Sequence, residues 1–196
     1  MSIVGVILAA GKASRMGRVK QLLPFRGKTI LQCVIDNAVA SSLQEIVVVL
    51  GYQADLIEPL ITGDAVTVVT NNNYKCGQSS SLKAGLMALP KQTEAVLFML
   101  GDQPLVSSET INRILKAYQT SKGPVVLPVF NGKRGNPTLF SRETFLRMEL
   151  LNGDSCTKIL FEEYAGRIIT VPVDDDSIHF DVDTEADYLR LLEYSE

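Results

Sequence analysis

The strand-forming run Ile3 to Leu8 passes directly into Ala9-Ala10-Gly11-Lys12-Ala13-Ser14-Arg15-Met16-Gly17-Arg18-Val19-Lys20, a segment of small residues with cations at Lys12, Arg15 and Lys20. Small side chains at Ala9, Ala10, Gly11 and Ala13 let backbone N–H groups approach an anion. Gly11 and Gly17 permit positive φ, and the three cations supply the charge a triphosphate requires. A second chemically loaded position is Asp102, which closely follows the apolar run Ala95 to Leu100 and so belongs at a strand tip with its carboxylate facing a crevice. Mg²⁺ takes one or two carboxylates together with substrate phosphates and waters, which makes Asp102 a natural magnesium ligand. Asp183, with Asp181 as the alternate, is the candidate for the second carboxylate. Strand alternation would put both on one face, with Thr184 capping the last helix while Asp183 turns inward. Helix capping alone is the other reading of that pair.

Two common phosphate motifs are excluded. A Walker A loop needs glycine, four residues and then Gly-Lys-Ser/Thr; the stretch from Gly5 to Gly11-Lys12 is one residue too long, and Leu22 stands where Gly27-Lys28-Thr29 would need its first glycine. The dinucleotide fingerprint needs three closely spaced glycines, and the loop offers Gly11 and Gly17.

The elements that must hold these residues alternate. Strands are predicted at 3–8, 46–50, 66–70, 95–100 and 125–129, and helices at 29–40, 53–61, 80–89 and 108–121. Such alternation means βαβ units and a mainly parallel sheet. The continuous apolar runs Ile46 to Leu50 and Ala95 to Leu100 mark central strands covered on both faces. Beyond 130 the rhythm loosens, to a short strand at 138–140, helices at 142–150 and 157–163, a strand at 168–173 and a final helix at 185–193. In open parallel sheets ligands bind over the carboxyl ends of strands. The loops after the first, third and fourth predicted strands, 11–20, 71–81 and 101–104, should therefore meet at one edge.

The chain's 196 residues, 46% hydrophobic and 21% charged, suit one full α/β core, so a single domain over 1–196 is expected, with a nucleotide-binding half at 1–130 and an acceptor-side half at 131–196. A net charge of -3 argues against a general nucleic-acid or membrane binder. With no charged leader and no apolar run near the ~20 residues that span a bilayer, the expected location is cytoplasmic. Cys33, Cys76 and Cys156 are odd in number and form no C-x-x-C pair, against a disulfide framework or zinc site. Cys33 reads as core, and the lone His179 as a neutral hydrogen-bonding residue. The triplet Asp174-Asp175-Asp176 reads as a solvated loop.

Leu8-Ala9-Ala10-Gly11, Ser14-Arg15-Met16-Gly17, Lys20 and Leu22-Leu23-Pro24 together resemble the nucleotidyltransferases that finish molybdenum cofactors, above all the molybdenum cofactor cytidylyltransferases, a MobA-like branch of the NTP transferases. The match recurs at Asn71, Gly77 with Ser79-Ser80-Ser81-Leu82, Leu100 to Pro104, Arg134 to Pro137 and Asp181 to Thr184. Alanine at Ala10, where the guanylyltransferase branch usually has glycine, leans towards a cytosine nucleotide.

The resemblance implies a three-layer α/β/α Rossmann-like fold of the nucleotide-diphospho-sugar transferase type. It also implies attack of a molybdopterin phosphate on the α-phosphorus of CTP with Mg²⁺ as cofactor, and a molybdoenzyme or its chaperone as a further partner. A phosphate monoester is already a dianion near neutral pH, so the reaction needs charge compensation and in-line positioning rather than a general base. Arg15 would grip a phosphate bidentately, Lys20 would stand by the α-phosphate and Gly11 would donate N–H groups, with Leu8 and Lys12 beside them. Ala9, Ala10, Asn71, Gln78, Ser79 and Ser80 would meet the nucleotide, though Ser79 reads equally as a helix cap. Arg134, Gly135, Asn136 and Pro137 would form the acceptor side. The chain departs from the pattern at Asn136 (usually histidine), Gln78 (usually methionine), Ser155-Cys156-Thr157-Lys158 (usually Gly-Ala-Arg) and Glu185 (usually proline), so the acceptor side drifts more than the nucleotide side. The alternatives are GTP or another phosphorylated acceptor with the same chemistry, and a non-catalytic accessory protein that delivers the cofactor to a molybdenum hydroxylase.

Overall fold

A computed structural model describes residues 2–12, 16–153 and 156–195. The apolar runs form β1 (Ile3–Ala9), β4 (Glu45–Leu50) and β6 (Ala95–Leu100), with β1 parallel to both neighbours. β5 (Val66–Thr70) adds to β4 in the same sense. On the other side the sheet continues through β9 (Thr138–Ser141), β7 (Val125–Phe130) and β10 (Ile168–Pro172), in the order β10-β7-β9-β6-β1-β4-β5, with β8 (Lys133–Arg134) hung on β7. β9 runs antiparallel to both β6 and β7. A strand from the second half of the chain is thus built into the middle of the sheet.

Helices cover both faces, as uninterrupted apolar strands require. On one face α1 (Ile30–Val39) and α4 (Ser108–Ser121) bury Leu31, Ile35, Ile111 and Ile114 against Ile7, Val48 and Leu97. On the other α3 (Gln78–Met87), α5 (Phe145–Leu150) and α6 (Cys156–Glu163) pack Leu82, Leu86, Met148 and Leu160 against Val6, Val47 and Phe98. The result is the three-layer α/β/α architecture the sequence predicts. Thr29 and Ser107 start α1 and α4 by accepting from the backbone N–H three residues on, at 3.1 and 3.2 Å.

Three local expectations change. The helix predicted at 53–61 is only α2 (Ala54–Ile57) followed by a 3-10 turn at Glu58–Leu60, because Pro59 lacks the N–H an α-helix needs there. A hairpin of β2 (Pro24–Phe25) and β3 (Lys28–Thr29) precedes α1, turning through positive φ at Arg26 and Gly27. It joins a small core of Leu23, Phe25, Ile30, Phe180 and Val182 with the last helix, α7 (Glu185–Leu192). Residues 181–183 form no strand; they follow a 3-10 turn at Ser177–His179 and lead into the cap of α7.

Candidate active site

The carboxyl ends of β1 and β6 lie side by side, with Leu8 paired to Leu100 and the Gly101 N–H donating to the Leu8 carbonyl at 2.9 Å. Gly101 is needed at that crossing, since a Cβ there would stand 2.8 Å from Ala9 Cβ. Over this edge opens a cavity of about 350 Å³ whose walls include Leu8, Ala9, Ala10, Gly11, Lys20 and Asp102. Tyr74, Gly77, Gln78 and Ser81 close its far side. The three loops expected to converge do so.

Lys20 is the centre of the charged wall. It sits in a 3-10 turn, Lys20–Leu22, and donates to Asp102 Oδ2 at 2.5 Å and to Asp183 Oδ1 at 2.8 Å. Burial works against the ammonium charge, but the Asp102 carboxylate beside it, with hydrogen bonds to both carboxylates, holds its pKa above the usual lysine value. Asp183 reaches inward because Thr184 caps α7, accepting from Asp187 N at 3.2 Å while Asp187 reaches back to the Thr184 N–H at 2.9 Å. The Val182 N–H donates to the Asp102 carbonyl at 3.1 Å, fixing the segment against the β6 tip.

Asp181 takes a different place from Asp183. Its Oδ1 accepts from Gln103 Nε2 at 2.7 Å rather than from Lys20. The residue reaches the surface, yet protein packed around its carboxyl, and then the charge of Asp102, push its pKa up to about 6. The strand alternation invoked for the pair is absent, and the two carboxylates diverge.

Asp102 and Asp183 fit a divalent cation. Asp102 Oδ1 is buried without a hydrogen-bond partner, leaving a charged oxygen with unused acceptor capacity. Among the described residues no group of three or more His, Cys, Asp and Glu is arranged to hold a metal. Two carboxylates beside an open cavity match a cation that draws its remaining ligands from substrate and water.

Other predicted residues divide by position. Asn71 is buried and its amide holds Ser80 Oγ and Ser81 Oγ at 2.8 and 3.0 Å, so it pins the loop to α3 rather than lining the cavity. Ser79 is buried in the first turn of α3 and Gly77 holds the cap position, so Ser79 is not the cap. Ser80 Oγ donates back to the Gly77 carbonyl at 2.8 Å. Lys12 is exposed, 5.6 Å above the Tyr52 ring and away from the cavity wall. Arg15 lies outside the described residues.

Where the sequence puts the acceptor side, a second cavity of about 240 Å³ abuts the first through Leu8, Gln78 and Leu100. Arg134, Gly135 and Asn136 form one wall, and Phe98, Phe140 and Phe161 another. Phe140 and Phe161 are stacked at 6.3 Å, and the Arg134 guanidinium lies 5.9 Å from the Phe161 ring. Pro137 faces elsewhere, among Val34, Met99, Val106 and Ile111. The exposed His179 donates through Nε2 to the Arg134 carbonyl at 3.2 Å, a hydrogen-bonding role as expected. Cys33 is half-buried with its thiol directed at the Phe25 carbonyl, and Cys76 is exposed.

Sequence reasoning missed Gln21. It is 3% exposed, and its Nε2 donates to the carbonyls of Ala9 and Gly11 at 3.1 and 3.3 Å, holding the start of the loop against the turn that carries Lys20. Its only signal in the sequence is its place next to Lys20.

The family model described as a MobA-like NTP transferase domain matches residues 5–168. The chain belongs to this family. It is 31% identical over 189 residues to the molybdenum cofactor cytidylyltransferase of Escherichia coli (strain K12), covering 96% of this chain and 94% of that one. It is 29% identical over 204 residues to nicotine blue oxidoreductase of Paenarthrobacter nicotinovorans, covering 97% and 96%. Among solved structures, Rv0371c from Mycobacterium tuberculosis H37Rv superposes with a TM-score of 0.88 at 32% identity over 98% of both chains. That protein has also been solved in complex with manganese, where the TM-score is 0.83 at 31% identity, over 98% of this chain and 99% of that one. Membership of this MobA-like family supports nucleotidyltransferase activity. Among the described residues no helix is long and apolar enough to cross a membrane.

Proposed function

We propose that this MobA-like protein is a magnesium-dependent cytidylyltransferase that transfers CMP from CTP to the phosphate of molybdopterin and releases pyrophosphate, in the cytoplasm, and that its product passes to a molybdoenzyme or that enzyme's chaperone. The observation that carries the reading is Lys20, held between Asp102 and Asp183 at the wall of the cavity formed by Leu8 to Gly11. Backbone N–H groups around Gly11 would receive the triphosphate, with Arg15 and Lys20 adding charge. Asp102 and Asp183 would hold Mg²⁺, which supplies charge neutralisation to the phosphates. The acceptor, lying in the adjoining cavity near Arg134 and Asn136, presents a phosphate oxygen that attacks the α-phosphorus. The new P–O bond forms as the bond to the β-phosphate oxygen breaks, and the electron pair leaves with pyrophosphate. No side chain takes a proton, because the attacking monoester is already a dianion. Lys20 balances charge gathering on the α-phosphate oxygens.

Ala10, which lines the cavity, supports the cytosine assignment through its resemblance to the cytidylyltransferase pattern at that position. The test is thermal stabilisation by CTP, GTP, ATP and UTP with Mg²⁺, followed by pyrophosphate release from CTP with molybdopterin. A ligand at about 100 times its dissociation constant adds about 2.7 kcal/mol. CTP should stabilise most; a larger shift with GTP overturns the base assignment, and no shift with any nucleotide overturns the transferase.

A further inference from the structure

We infer that Gln103 is a positioning residue, whose side-chain amide locks the acceptor loop and the Asp181–Asp183 segment onto the turn that carries Asp102. The inference rests on the transferase reading above and adds to it a residue that neither binds nucleotide nor reaches the reacting atoms.

Gln103 is 3% exposed, and its Nε2 has two N–H groups. One goes to Asp181 Oδ1 at 2.7 Å and the other to the Ile178 carbonyl at 3.3 Å. That carbonyl also accepts from the Asn136 N–H at 3.2 Å. Gly135 is pressed against the same spot, since a Cβ on it would lie 2.6 Å from the Ile178 oxygen. Three segments therefore meet here, two joined directly by the Gln103 amide and the third through the Ile178 carbonyl. These are the β6 turn that bears Asp102, the acceptor loop with Arg134 and Asn136, and the stretch leading to Asp183. Among the described backbone bonds outside regular elements, the one from the Val182 N–H to the Asp102 carbonyl, 3.1 Å, is the only one that joins residues 177–183 to that turn.

A buried amide is costly unless its hydrogen bonds are made, and an apolar residue of the same size would fill the space without that cost. The neighbours of Gln103 are mostly apolar: Val34, Met99, Val106, Ile111 and Pro137 line the small cavity it shares. What Gln103 supplies over a methionine is direction. Through Asp181 and Ile178 it fixes the backbone that leads to Asp183, and through Ile178 the acceptor wall, relative to Asp102; outer residues that orient metal ligands typically change metal affinity by 10–100-fold when replaced. The nucleotide cavity gains nothing from Gln103 directly, since its loop is held by Gln21.

The experiment compares the full chain with Gln103→Met, which keeps length and packing but removes both donors; Gln103→Leu serves if the first variant does not fold. Mn²⁺ binding in the presence of CTP, followed by electron paramagnetic resonance, should weaken about tenfold. CTP affinity without metal should be unchanged, and KM should rise for the acceptor but not for CTP. In the ligand-free protein the amides of Val182 and Asn136 should exchange faster, while those of Tyr52 and Asn71, bonded to Ala10 and Leu50, should not. Equal losses for CTP and Mn²⁺, or unchanged exchange at Val182 and Asn136, overturn the inference. If the natural chain binds no nucleotide, the transferase reading fails, and the exchange measurement still decides whether Gln103 holds these segments together.

Discussion

Lys20 Nζ lies 2.5 Å from Asp102 Oδ2 although 82 residues separate them in the chain. With Asp183 at 2.8 Å on its other side, the ammonium fills the gap between two carboxylates that would otherwise repel. Lys20→Met removes that cation and leaves Asp102 and Asp183 facing each other. Turnover should fall on the order of 10²–10³-fold, the usual cost of losing one charge-stabilising group in a transition state. The variant should also gain more thermal stability from Mg²⁺ than the natural chain does, because the metal then replaces the missing charge. Pyrophosphate release and melting with and without Mg²⁺ measure the two effects. Equal Mg²⁺ shifts in both proteins would show that Lys20 and the metal do not share these carboxylates.

Much of this arrangement is legible in the residues, and the part that is not has identifiable causes. The parallel core reads directly because β1, β4 and β6 are unbroken apolar runs. The insertion of β9 between β6 and β7 does not, because periodicity reports that a strand exists and never which strand lies beside it. The two-residue strands of the Pro24–Thr29 hairpin are too short to show a period at all. Lys20, Asp102 and Asp183 are each visible by residue type, whereas their mutual contact exists only in three dimensions. Gln21 carries no signal of its own, and Gln103 is visible only as a member of the Leu100 to Pro104 motif, since glutamine in a sequence looks like surface until burial shows otherwise. Pro59 was a readable stop inside the helix expected at 53–61.

Gly51 offers a test outside every motif. A Cβ there would stand 2.7 Å from Tyr74 Cβ and 2.9 Å from the Ala10 carbonyl oxygen, and that backbone cannot yield without moving the loop that follows β1. Gly51→Ala should therefore destabilise the fold by about 1–3 kcal/mol, the common range for overpacking. It should also weaken CTP binding more than acceptor binding, since Tyr74 and Ala10 both line the cavity proposed for the nucleotide. Urea unfolding and nucleotide titration check both. A variant with natural CTP affinity would mean that the loop tolerates displacement at Ala10.

The raised pKa of Asp181 has a definite sign. Protein packed around the carboxyl, then the charge of Asp102, lift it from the ordinary 3.8 to about 6, so the folded chain holds this proton more tightly than the unfolded one. Between those two values the folded state binds more protons, and the group's contribution to stability falls as pH rises. Asp181→Asn has no charge to lose. Measured metal-free in chelator, the variant should gain on the natural chain as pH rises through that window, with the difference level above it. A difference that is flat across the window would mean that the charged carboxyl costs the fold nothing at this position.

Under the proposed function, replacing Arg134 should separate acceptor recognition from nucleotide recognition. Its guanidinium lies 5.9 Å from the Phe161 ring in the cavity that Asn136, Thr138 and Phe140 also line, one wall away from the Lys20 cluster. The aromatic face beside the planar fork would present a pre-oriented bidentate donor to an anionic acceptor. Arg134→Ala removes hydrogen bonds to a charged group, which are commonly worth about 1.5–3 kcal/mol, and should raise KM for the acceptor by roughly 10–100-fold. KM for CTP should stay where it was. Arg134→Lys should recover only part of the loss, because a single ammonium cannot reproduce two parallel N–H bonds. Steady-state kinetics varying each substrate in turn decide the point: a parallel rise in both KM values would mean that Arg134 serves the nucleotide, and that the acceptor approaches from another side.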